Sequence, residues 1–98
     1  MLEKNFKRKV ISELKGIKDC YFFVKEAAAI RGIPDIIGSY KGRFFAWELK
    51  RSQKVAETWR DGHELQKYNI KKINDSGGIG RIVYPENFEE CLGELLKL

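Results

Sequence analysis

The apolar positions of this chain follow two periods that alternate along it. Phe6, Val10 and Leu14 follow Glu3 at i+3, i+7 and i+11, one face of a helix, while Lys4, Lys7, Arg8 and Lys15 lie off that face. Gly16 closes this helix. Cys20-Tyr-Phe-Phe-Val24 is aromatic and β-branched and reads as a strand with Lys25 at its end. Residues 26–32 read as a helical turn or a loop, since seven residues are marginal for a helix. Pro34–Tyr40 reads as a second strand, with Pro at its first position where no ladder donor is needed. Lys41-Gly42 is a turn signal, and Arg43–Lys50, rich in Phe and Trp, is the third strand. Residues 51–61 are polar and aperiodic and read as a long mobile loop. Gly62–Asp75 is a second helix with Gln66, Ile70 and Ile73 on one face, stopped by Gly77, Gly78 and Gly80. Ile79–Tyr84 is a fourth strand. Pro85 opens a last helix that turns Phe88, Cys91 or Leu92, and Leu95 inward. The order αβββαβα predicts an α/β fold, with helices packed on a small mixed β-sheet.

Composition narrows the class. A chain of 98 residues with 43% hydrophobic and 34% charged residues is expected to form one globular domain, 1–98. Folding at this size buries roughly 65% of the unfolded surface, enough for a modest core without staples. No apolar run is long enough to span a bilayer, and MLEKNFKRKV has no signal-peptide core, so no membrane role is expected. Cys20 and Cys91 are far apart and no CxxC occurs, which excludes a zinc ribbon or a disulfide framework and fits a reducing, cytoplasmic setting. His63 is the lone histidine, so a His-rich metal site is excluded. The net charge of +5 is concentrated in the first three quarters, a mild footprint for nucleic acid because Lys and Arg neutralise phosphates.

The second and third strands carry the chemistry. If Lys41-Gly42 is a two-residue hairpin turn, Tyr40 pairs with Arg43 and Asp35 falls opposite Glu48. Lys50, two residues beyond Glu48, shares that face. Two carboxylates so close repel unless a cation is present, and Mg²⁺ takes carboxylate and carbonyl oxygens. The Leu49 backbone carbonyl is the third expected ligand. Such an ion acidifies water and stabilises charge on a phosphoryl oxygen, and Lys50 would orient or deprotonate that water. The plain alternative is a surface salt bridge of Glu48 with Lys50 or Lys25, worth little.

Pro34-Asp35, twelve residues, then Glu48-Leu-Lys50 resembles the PD-(D/E)XK nuclease motif. Together with Glu3 opening the first helix, Lys25, the Gly32-Ile-Pro34-Asp35 run and Gln66, it resembles the VRR-NUC (virus-type replication-repair nuclease) family in its stand-alone, phage-like form. The resemblance runs from about Glu3 to Tyr84. It implies a restriction-endonuclease-like core and a Mg²⁺- or Mn²⁺-dependent endonuclease on DNA. It implies Asp35 and Glu48 as metal ligands, Lys50 as the catalytic lysine, Gln66 at the site, and Glu3 completing or supporting the metal site. It further implies a homodimer resembling Holliday-junction resolvases, acting on branched or four-way DNA, and a phage or mobile-element source. By helical phase, Glu3 and Gln66 are both expected to point at the sheet, where a charged group needs a partner.

Other readings stay open. A flap or nicking nuclease, or the catalytic subunit of a larger complex, has the same site. A non-catalytic DNA-binding module would keep the fold, and a small interaction protein with a chance motif would bind neither metal nor DNA. Lys25, Lys54, Arg60, Lys67 and Lys71 are the expected DNA contacts, favoured slightly over the basic residues of the first helix. Trp59 reads as a base-stacking, interface or packing residue of the loop, Trp47 as core, and both cysteines as core.

Overall fold

The computed structural model describes residues 3–26, 30–58 and 63–97. The elements are α1 (Glu3–Lys15), β1 (Cys20–Val24), β2 (Ile36–Tyr40), β3 (Arg43–Leu49), α2 (Gln53–Glu57), α3 (His63–Asp75), β4 (Ile79–Val83) and α4 (Phe88–Leu96). The sheet order is β1-β2-β3-β4, antiparallel across the first two junctions and parallel between β3 and β4. This is the mixed sheet with flanking helices that the periodicities predict.

The β2–β3 hairpin has the expected register, with Tyr40 paired to Arg43 and Ile36 to Trp47. Lys41 (φ 49°) and Gly42 (φ 85°) both lie in the left-handed region, as a two-residue turn matching strand twist requires. Beyond the turn, β3 is buried on both faces from Phe45 to Leu49. Its Phe45, Trp47 and Leu49 join Ile36, Tyr40, Ile79 and Val83 in one core with Phe6, Val10 and Leu14 of α1 and Phe88, Cys91 and Leu95 of α4. Its Ala46 and Glu48 face the other way, toward α3.

Short polar clamps close the layers. Asn74 of α3 bonds both backbone groups of Gly80, accepting from its N–H at 2.8 Å and donating to its carbonyl at 3.0 Å. Arg81 of β4 and Glu94 of α4 form a two-point ion pair at 2.9 and 2.6 Å. A Cβ on Gly80 would stand 2.9 Å from the Ile70 carbonyl oxygen and 3.2 Å from the Ile73 side chain, so α3 rests directly on the β4 backbone. Gly80→Ala is therefore expected to lower stability by about 1–3 kcal/mol, read as the denaturation midpoint, because the helix must lift to admit the methyl group.

Three boundaries differ from the sequence reading. Residues 51–61 contain a helix, α2, where a mobile loop is expected. Ser52 caps it, its Oγ accepting from the Val55 N–H at 3.2 Å, and Ala56 is buried beneath it. Five residues are too few to show an apolar period, so only the cap could have signalled it. The last helix begins at Phe88, not at Pro85. Asn87 spends its side chain on the Tyr84 N–H and the Ile82 carbonyl, which turns the chain off β4 before the helix starts. The second and third strands also stop short of Pro34 and Lys50. Residues 27–29, within the 26–32 segment, and Trp59, Arg60, Asp61 and Gly62 lie outside the described residues.

Candidate active site

The face of the sheet turned toward α3 is built in cross-strand rows. Tyr21, Ser39 and Phe44 form one row, and Phe23, Ile37 and Ala46 the next. The third, just past the ladder, is Lys25, Asp35 and Glu48. The Lys25 N–H still donates to the Asp35 carbonyl at 2.8 Å, so β1 carries its register into this row. Period-two alternation then places Lys50 beside Glu48, and its Nζ lies 3.5 Å from Glu48 Oε2. From the opposite side, Gln66 of α3 donates its Nε2 to the same oxygen at 3.2 Å. Thus Asp35, Glu48, Lys50 and Gln66 meet in one cleft.

Its rim comes from α1. Glu3, Lys4 and Lys7 line the cleft with Lys25, Asp35, Glu48, Leu49, Lys50 and Gln66, around roughly 440 Å³ of open volume. Gln66 points at the sheet as its helical phase predicts. Glu3 stays exposed at the mouth of the cleft, while the buried face of α1 begins at Phe6. A first-turn carboxylate gains from the helix dipole, and at the cleft mouth it also keeps its hydration, which inward burial would strip. Lys25 is half-buried and donates its Nζ to the Ile33 carbonyl at 2.8 Å, bracing the loop that enters β2.

The electrostatics centre on Glu48. It is only 4% exposed, and its Oε1 is buried without a hydrogen-bond partner among the described residues. Burial, and then the negative charge of Asp35, push its carboxyl up to about 7, with Lys50 and Lys25 offsetting only part of the rise. A carboxylate pair in this state is relieved by a shared proton or by a cation.

The donor set fits a hard divalent cation. Asp35 and Glu48 supply the carboxylates, and Asp35 is aimed by the Leu49 N–H, which donates to its Oδ2 at 2.8 Å. The register of the hairpin would next pair Leu49 with Pro34, and proline has no N–H to give. The Leu49 carbonyl therefore loses its ladder donor from β2. Among the described residues no three His, Cys, Asp or Glu side chains form a metal cluster.

The remaining expected DNA contacts are scattered. Lys54, Lys67 and Lys71 are exposed on α2 and α3 and do not line the cleft, and Lys71 is paired with Asp75 at 2.7 Å. Arg60 lies outside the described residues. Lys4 and Lys7, which the sequence reading ranks below these, are the lysines the fold brings to the cleft beside Lys25 and Lys50. Their signal was present in the sequence as basic positions one and four residues after Glu3. What was missing was which end of α1 meets the sheet.

The fold and the hairpin cleft together define a small α/β protein with a mixed four-stranded sheet and a carboxylate–lysine cleft on its α3 face. A solved structure described as a VRR_NUC domain protein matches with a TM-score of 0.76, covering 99% of this chain and 89% of that one at 18% identity. The chain has the VRR-NUC fold. No protein-family profile and no curated protein matches it.

Proposed function

We propose that this protein is a metal-dependent nuclease hydrolysing phosphodiester bonds in DNA. One observation carries the reading: Asp35, Glu48, Lys50 and Gln66 converge on a cleft in which a buried carboxylate oxygen lacks a donor. Asp35 and Glu48 would hold Mg²⁺ or Mn²⁺ with the Leu49 carbonyl. Such an ion, when bound, makes a water more acidic and draws charge from a phosphoryl oxygen.

The protein's own groups do the rest. Gln66 and Lys50 both face Glu48 Oε2 and fix the rotamer of its carboxylate. Lys50 would orient the attacking water and balance negative charge developing on the phosphate. Lys4, Lys7 and Lys25 at the rim attract the phosphate backbone, and Lys54, Arg60, Lys67 and Lys71 would extend contact along it. Glu3 sits at the mouth as a supporting acid. The finer reading is a homodimer cutting branched or four-way DNA, since paired cuts need two sites and a two-fold dimer supplies them. Among the described residues no helix is long and apolar enough to cross a membrane.

The test is Mg²⁺- or Mn²⁺-dependent cleavage of a labelled four-way junction and of linear duplex of the same sequence, with Lys50→Ala alongside. Wild type is expected to cut the junction, and Lys50→Ala to be slower by roughly 10²–10⁴-fold. Equal cutting of both substrates would remove junction selectivity and keep the nuclease. DNA binding with no cleavage by wild type would leave a non-catalytic module and overturn the proposal.

A further inference from the structure

The segment that delivers Asp35 to the cleft lies outside β2 and is held by side chains from two elements. Gly32 is buried with φ 84°, and its carbonyl accepts from Asn69 Nδ2 of α3 at 2.8 Å. The next carbonyl, of Ile33, accepts from Lys25 Nζ at 2.8 Å, from the β1 side. Pro34 is buried and stiffens the one residue between these bonds and Asp35. α3 lies close against this segment, since a Cβ on Gly32 would stand 2.5 Å from Leu65 Cγ and 2.9 Å from Asn69 Nδ2. Asn69 follows Gln66 by three residues and shares its face of the helix. One face of α3 therefore serves both carboxylates. Gln66 donates to Glu48 directly, and Asn69 holds the chain three residues ahead of Asp35.

The segment has a force to resist. Asp35 and Glu48 repel when both are charged. If the loop gave way, Asp35 would relieve that repulsion by moving outward, and the Leu49 N–H would lose its acceptor. We propose that Asn69 is a positioning residue, whose amide pins the Gly32 carbonyl so that the Asp35 carboxylate stays beside Glu48, ready for a shared divalent cation. The inference rests on the metal-dependent reading above for the cation, while the placing of Asp35 stands on the hydrogen bonds alone. Asn74 offers a comparison from the same helix. It bonds both backbone groups of Gly80 and does not line the cleft.

Amide hydrogen exchange of the metal-free chain and calorimetric titration with Mn²⁺ test this on wild type, Asn69→Ala and Asn74→Ala. In Asn69→Ala the Leu49 amide, whose acceptor is Asp35, is expected to lose at least roughly tenfold in protection. The Trp47 amide, on a residue paired with Ile36, should keep its own. Affinity for Mn²⁺ should fall by roughly 10–100-fold. Cleavage should recover as Mn²⁺ is raised, with KM for DNA unchanged. Asn74→Ala should lower the melting temperature at least as much and move neither readout. Unchanged Leu49 protection in Asn69→Ala, or lost protection with wild-type Mn²⁺ affinity, would overturn the proposal. So would equal losses in Asn74→Ala, because the amide would then matter only for packing. Selective loss of Leu49 protection, with no Mn²⁺ bound by wild type, would keep Asn69 as the residue that places Asp35 and overturn the metal-dependent reading instead.

Discussion

Glu48→Gln is expected to abolish cleavage and, at pH 8 without metal, to raise the melting temperature. In the unfolded chain this carboxyl titrates near its ordinary 4.5, while in the fold burial and Asp35 raise it to about 7. Below 4.5 both states hold the proton and its contribution is fully present. Between 4.5 and 7 the unfolded chain releases the proton and the folded one keeps it, so stability falls as pH rises. Above 7 the contribution is lost, a change on the order of 3 kcal/mol. Glutamine keeps the shape, its carbonyl accepts from Gln66 and Lys50, and its amide donates toward Asp35. It cannot ionise, so the pH-dependent loss disappears.

For a chain of this length that corresponds to roughly 12–24 °C at pH 8 and little at pH 4. On the proposed metal-dependent reading, activity should fall by roughly 10³-fold or more, because the side chain can no longer offer a charged oxygen to the cation. Mg²⁺ should raise the melting temperature of wild type at pH 8, where Glu48 is ionised, and not that of Glu48→Gln. Calorimetry at the two pH values, with and without Mg²⁺, decides it. A lower melting temperature for Glu48→Gln at pH 8 would mean that Lys50 and Lys25 stabilise the ionised carboxylate more than burial opposes it.

Trp47→Ala is expected to be the most damaging single truncation of the core. Trp47 is fully buried on β3 and meets Phe45 edge-on at 5.6 Å and Phe88 of α4 at 6.2 Å, while Phe88 meets Phe6 of α1 at 5.9 Å. This chain of rings ties both helices to the strand that holds Glu48. Its removal leaves a cavity between three elements and should lower stability by about 3–5 kcal/mol, roughly 15–30 °C in melting temperature. Trp47→Phe should lose much less. The indole Nε1 has no hydrogen-bond partner among the described residues, so removing it relieves an unsatisfied donor while most of the ring contact remains. Urea denaturation of both variants separates the two effects. A Trp47→Phe variant as unstable as Trp47→Ala would show that the indole makes a contact that phenyl cannot replace.

Much of this was legible in the residues themselves. The hairpin pairing of Asp35 with Glu48 follows from Lys41-Gly42 and strand alternation, because both are local constraints with a period of two. The inward turns of Phe6, Val10, Leu14 and Gln66 follow from helical period. α2 was not legible, since one turn and a half has no period to read. Glu3 lines the cleft as the resemblance implies, but its exposure was not legible. Helical phase says which residues share a face, but not where along the helix the neighbouring sheet ends.

The sequence by itself determined the four strands and the three longer helices, the hairpin register and the placing of Asp35, Glu48 and Lys50 on one face, because these depend on neighbours within a few residues. Only the tertiary structure decided that Lys4 and Lys7 rim the cleft, that Glu48 is buried deeply enough to hold its proton to about 7, and that α3 packs chiefly on β3 and β4. Those properties are set by which elements pack together and by how much water they exclude, and desolvation is a sum over distant parts of the chain that no local pattern encodes.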